Sequence, residues 1–168
     1  MRPLLAALAL TVLLAPAVDA QRYSSPPRFG VGFEVQSALL DQDVIPNGPS
    51  LGIRGRVALP VNRDVSVSGG MGLGAHLFEG ADQARYVLSP QASVIITLPS
   101  RGSARYVFGG AGGILPFSGG GGGPTLHIGY GLAIPLSDTS LFVEVNPQIV
   151  IGERASAPVL AVRGGVIF

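Results

Sequence analysis

This chain of 168 residues offers few groups that could do chemistry: it has no cysteine, two histidines, and few charged side chains among apolar and glycine-rich segments. Without thiols, a disulfide framework, thiol catalysis and cysteine metal sites are excluded. Metal or nucleophile chemistry would then have to run through His76 or His127. Metal ligation needs several N, O or S ligands converging on one ion, and neither histidine has another histidine or a carboxylate at a ligand spacing within its own segment. A hydrogen-bonded, structural histidine is expected at both positions.

The glycine-rich stretches imitate phosphate loops without completing one. Gly70-Met71-Gly72-Leu73-Gly74 has no helix pattern behind it and no properly spaced third glycine, and the run 119–123 is not followed by Lys and Ser or Thr. The first is expected to be a strand lining a narrow interior, the second a loop tip, and no cofactor is expected. Net charge is +1, every basic side chain is Arg, and no basic cluster occurs, so a nucleic-acid footprint is absent.

The elements that would position these groups begin after a leader. Arg2 is followed by an apolar run over 4–14 and then Val18-Asp19-Ala20, the pattern of a secretory signal peptide over residues 1–20. The apolar run is too short for a spanning helix, which needs roughly 20 residues, and no later segment supplies one. Charged residues make up 12% of the chain, about half of the roughly 25% usual for soluble domains, and glycine accounts for 25 residues. A water-exposed surface is hard to build from that composition.

From residue 29 onward, apolar side chains alternate with glycine and polar ones, which is the signature of strands with two different environments. Phe29, Val31, Phe33 and Val35 stand against Gly30, Gly32, Glu34 and Gln36. Eight such segments can be counted, over 29–38, 51–59, 65–77, 86–98, 104–114, 126–136, 141–151 and 158–168. The fifth is the weakest, because Gly109-Gly110-Ala111-Gly112-Gly113 carries almost no pattern. Lengths of about 9–11 residues suit tilted strands crossing a bilayer, and no segment has a helical period. The apolar face is read as free of charge.

Connections alternate in length. Those after segments two, four and six are short and begin Leu59-Pro60, Leu98-Pro99 and Ile134-Pro135; the others are longer or more irregular. Short turns on one side and longer loops on the other are expected of a barrel with one end in the periplasm and one outside the cell. The recurring Leu/Ile-Pro also marks a hairpin repeat of about 35–40 residues. The fold expected is all-β, an eight-stranded antiparallel up-and-down transmembrane barrel over 29–168, with 21–28 a periplasmic N-terminal segment.

In leader, strand count, turn alternation and terminal Phe168, the sequence resembles the small outer-membrane β-barrels of the OmpA transmembrane-domain and OmpX type. The resemblance implies a C-terminal signal read by the barrel-insertion machinery, which Val162, Val166 and Phe168 match, with Gly164 a weak position. One departure is the aromatic belt: there is no Trp, and only Tyr86, Tyr106, Phe29 and Phe168 fall near the expected interfaces. No peptidoglycan-binding domain follows Phe168, so a cell-wall anchor is not implied. Outer-membrane lipid A deacylases share the architecture and use a His and a Ser two residues apart on one strand. Here His127 is followed by Ile128 and Gly129.

A soluble barrel of the lipocalin type would need the opposite orientation, with an outer wall of Gly and Ser, no Lys and few acids, which solubility disfavours. In a membrane, closure pairs every backbone N–H and C=O where no water reaches. The interior of eight strands is filled by side chains, and inward glycines leave room for a few long ones. Glu34, Arg54, Arg56, Glu144 and Arg163 fall near mid-height on four strands that become contiguous on closure. They are expected to form one ion-pair cluster, assisted by Gln36, Asn146 and Gln148, that plugs the lumen.

No enzyme signature is found in the sequence, and the chain is expected to be a monomeric outer-membrane protein in contact with outer-membrane lipids and, during insertion, with the assembly machinery. Its role would be envelope integrity or surface interaction through loops at 41–50, 78–83, 118–124 and 152–156. The alternatives are a narrow passive channel, a lipid-modifying enzyme and a soluble lipid carrier.

Overall fold

A computed structural model describes residues 25–39, 49–76, 85–100, 102–117, 121–152 and 155–168. The expected leader and much of the four expected loops lie outside these residues. The described residues form eight strands: β1 (Arg28–Ala38), β2 (Ser50–Pro60), β3 (Val65–His76), β4 (Arg85–Leu98), β5 (Ala104–Pro116), β6 (Gly123–Pro135), β7 (Ser140–Ile151) and β8 (Ser156–Ile167). Each pairs antiparallel with its sequence neighbour, and β8 returns to β1, closing an up-and-down barrel. The eight strands read from alternation are the eight observed. β6 starts three residues earlier than the pattern indicates, so Gly123 and Pro124 are strand rather than loop.

The short connections 61–64, 99–103 and 136–139 lie at one end together with the start of β1 and the end of β8. At the first of these, Asn62 Oδ1 accepts from the backbone N–H of Asp64 at 2.9 Å and of Val65 at 2.8 Å, a side-chain-built turn that brings β3 straight back along β2. The barrel is sealed at this turn end by two backbone hydrogen bonds between Phe29 and Phe168, of 3.2 and 2.8 Å. The other end, here the loop end, carries the four remaining connections.

The apolar face points outward. Phe33 is 74% and Ile128 68% exposed, whereas Glu144 and Asn146 on the opposite face are 1% and 0% exposed. The outward face is not free of charge, as the alternation suggested: Arg105 points outward at the turn-end margin of β5, in register between Leu98 and Leu132. A long arginine stem can lie over apolar neighbours there while its guanidinium reaches the polar headgroups.

The weakly patterned β5 is held by its partners, pairing with β4 and with β6 along its length. Two prolines interrupt strand interiors, Pro90 in β4 and Pro147 in β7. Both sit on the outward face, where the residue opposite each drops out of the ladder toward β5 and β6 respectively, as the missing N–H requires.

Candidate functional site

The lumen is layered. Val87, Ile114, Val150, Ala157 and Val159 form a buried apolar layer toward the loop end, each at most 3% exposed. Ala58, Ile95, Tyr106 and Phe108 form a second toward the turn end. These inward apolar side chains escaped the sequence reading, which assigned the lumen face to polar residues and glycine. Tyr106 is a direct correction: expected near an interface, it is 5% exposed inside the barrel.

Between the layers lies a polar section, and the structure brings Glu34, Arg54, Arg56, Glu144 and Arg163 together there. Glu34, Arg163 and Glu144 sit side by side in one row across β1, β8 and β7, while Arg54 and Arg56 enter from β2. Glu34 accepts from Arg54 Nε at 2.9 Å and pairs with Arg163 Nε through the same oxygen. Arg56 crosses the lumen to pair with Glu144, which also lies 3.7 Å from Arg163 Nη1. The Arg56 guanidinium stacks 4.8 Å from the Phe142 ring centre, so an aromatic face takes up part of its charge.

Neutral groups complete the section. Asn146, with its amide oxygen turned to Arg163, accepts from Nη1 and Nη2 at 3.1 and 2.7 Å. A chain of amides runs from Arg163 Nη2 to Gln91 at 2.9 Å, from Gln91 to Gln148 at 3.2 Å and from Gln148 to Gln36 at 3.3 Å. Ser89 accepts from Arg54 at 2.8 Å, and Tyr106 donates to Glu144 at 2.8 Å. Gln91, Ser89 and Tyr106 were not assigned to the cluster from sequence, because membership depends on which residues face each other across strands.

Glycines decide where the long side chains can lie. In the row Tyr106, Gly131, Glu144 the phenol lies over the glycine, and a Cβ at Gly131 would run into its ring. In the row Arg54, Gly72, Ser89 the guanidinium passes over Gly72 on its way to the serine; a Cβ there would sit 2.8 Å from Nη2. Phe142 lies likewise against Gly165 and Gly32, where added Cβ atoms would stand 2.8 and 2.9 Å from its ring. Each long side chain lies along the hoop of the barrel over its neighbour's missing Cβ.

Both histidines are buried. His127 Nε2 is 2.8 Å from Ser93 Oγ on β4, a histidine–serine pair that no within-strand motif could disclose. Its Nδ1 has no hydrogen-bond partner among the described residues, so no acid orients the ring or stabilises its cation as a hydrolytic triad requires. The pair faces the lumen, away from any lipid substrate. Among the described residues no group of His, Asp and Glu is placed to hold a metal ion.

Taken together, the described residues form a closed eight-stranded antiparallel barrel with an apolar exterior, the fold of the small outer-membrane barrels, and here the lumen is ion-paired. Three solved structures share the fold at low identity. Neisserial surface protein A (NspA) aligns with TM-score 0.62 and 12% identity over 84% of this chain and 94% of its own. The attachment invasion locus protein Ail of Yersinia pestis aligns with TM-score 0.54 and 15% identity over 84% and 97%. The N-terminal β-barrel domain of Pseudomonas aeruginosa OprF aligns with TM-score 0.53 and 13% identity over 84% and 97%. No family model and no curated protein matches the sequence.

Proposed function

We propose that this chain is an integral outer-membrane protein with a structural or surface-interaction role, whose interior is a plug and not a passage. The observation that carries the reading is the outward band of exposed apolar side chains that encircles the closed barrel. So large a contiguous apolar surface is not maintained in water, and hydrocarbon is its matching solvent. Both termini then face the periplasm, the four longer connections face outward, and outer-membrane lipids are the constant partner of a monomer. Val162 and Val166 on the outward face of β8, with Phe168 just beyond its end, serve as the signal to the assembly machinery.

The plug reading is supported by the two apolar layers that bracket the ion pairs. Surface interaction is supported by the fold shared with NspA and Ail, whose names describe a surface protein and an attachment protein. Ail has also been solved with the heparin analogue sucrose octasulfate. In this chain the loop-end connections carry Asp41, Asp43, Glu79, Asp82 and Glu153 against Arg154, with Arg85 opening β4. That balance disfavours a polyanion and favours a partner with a cationic surface.

Fractionation and gel migration test the membrane assignment. The folded protein is expected in the outer-membrane fraction, resisting detergent until boiled and then shifting in migration. Recovery of the folded protein from the periplasm without detergent would overturn it.

A further inference from the structure

The polar section of the lumen carries an excess of one positive charge: three guanidinium groups, Arg54, Arg56 and Arg163, face two carboxylates, Glu34 and Glu144. His127, the titratable side chain beside this section on β6, could only add to that excess. Apolar layers flank the section toward both ends, and its charged side chains are mostly buried, Arg56 keeping 16% of its surface exposed. An uncompensated charge in so poorly polarisable a place is strongly unfavourable.

A cavity of about 30 Å³ lies at the same level, lined by Arg54, Arg56, Arg163, Ser68 and Ser93, with Glu144 also on its wall. One water needs roughly 10–15 Å³ measured this way, so there is room for a single small ion. The carboxylate on the wall does not exclude an anion, because its oxygens face Arg56, Tyr106 and Arg163. Guanidinium N–H groups remain for a ligand: Arg54 commits Nε and Nη2 to Glu34 and Ser89, and Arg56 commits Nη1 and Nη2 to Glu144 and Tyr106. Arg54 Nη1 and Arg56 Nε are the guanidinium nitrogens that these contacts leave over.

We infer that this cavity is a binding site for one small monovalent anion of the halide class, held by Arg54 and Arg56. The anion balances the third arginine and so belongs to the folded interior. This goes beyond the structural role proposed above and does not depend on which cellular partner the loops meet.

Bromide is the probe. The protein refolded from urea into detergent micelles in bromide, then crystallised, should give one anomalous scattering peak in the lumen between Arg54 and Arg56. The urea midpoint of the folded form should be higher in chloride or bromide than in gluconate at equal ionic strength. Arg56→Gln, which balances the section at two charges of each sign, should abolish that halide dependence, and Arg56→Lys should retain it. Bromide found only on the surface, water alone in the cavity, or equal midpoints in bromide and gluconate would overturn the inference. The diffraction test on the unaltered protein decides the matter even where Arg56→Gln fails to fold.

Discussion

The Tyr106 hydroxyl donates to Glu144 Oε1 at 2.8 Å across an intervening strand, because Gly131 lies between them in register and offers no side chain to obstruct the phenol. A methyl group at that position would displace the ring and leave Glu144 Oε1 to Arg56 alone. Gly131→Ala is therefore expected to lower stability by about 1–3 kcal/mol, the usual penalty for overpacking. The outward Gly55 is the control: an added Cβ there meets nothing within 4 Å, so Gly55→Ala should leave the protein nearly unchanged. Urea titrations read by the migration difference of folded and unfolded bands would compare the two.

Glu34 holds both Arg54 and Arg163, and its loss leaves two buried guanidinium groups without their shared acceptor. Glu34→Gln should cost about 3–5 kcal/mol, the range for breaking a buried pair by removing one partner. Equilibrium unfolding in phospholipid vesicles checks this, and a cost below 1 kcal/mol would show that the cluster is not bearing on stability.

How much of this was readable beforehand depends on the range of the interactions. Strand number, order and outward face follow from alternation in Phe29 to Val35 and its repeats, because burial on one side imposes period two residue by residue. The five charged side chains could be grouped because each breaks that pattern on the same face. The Tyr106–Glu144 and His127–Ser93 contacts could not be, since they depend on the cross-strand register, and a one-residue slip would turn either partner outward. Inward Val87, Ile95, Phe142 and Val150 were hidden for a different reason: flanked by apolar outward neighbours, they blur into short apolar runs in which period two is not visible.

The apolar layer of Val87, Ile114, Val150 and Val159 is expected to keep the lumen silent in planar bilayers. Replacing Val150 and Val159 together by Ser should hydrate that layer, and any currents that follow should favour chloride over potassium, since guanidinium groups outnumber carboxylates below it. Reversal potentials in a potassium chloride gradient give the answer. Steady openings of the unaltered protein that change with Glu34→Ala would instead make the ion pairs a gate.

Phe168 is bound to Phe29 through its backbone while its side chain is 63% exposed. Its side chain packs against lipid and not against protein, so Phe168→Ala should lower the stability of refolded protein by no more than about 1.5–3 kcal/mol, the transfer term of one large apolar side chain. If the side chain is an insertion signal, the same variant should accumulate less in the outer membrane of living cells. Equal accumulation of both forms would remove that role.

The row that sets Glu34 beside Arg163 joins the first strand to the last, across 129 positions of chain. Contacts so distant in sequence form late, after the nearer hairpins have closed their smaller loops. Until that seam zips, Arg163 has only Glu144, on the adjacent strand, as a carboxylate neighbour, and Glu34 has only Arg54. The charged interior is thus a record of completion: a sheet that has curled but not joined lacks its central ion pair, and the finished cylinder cannot reopen at the seam without giving it up.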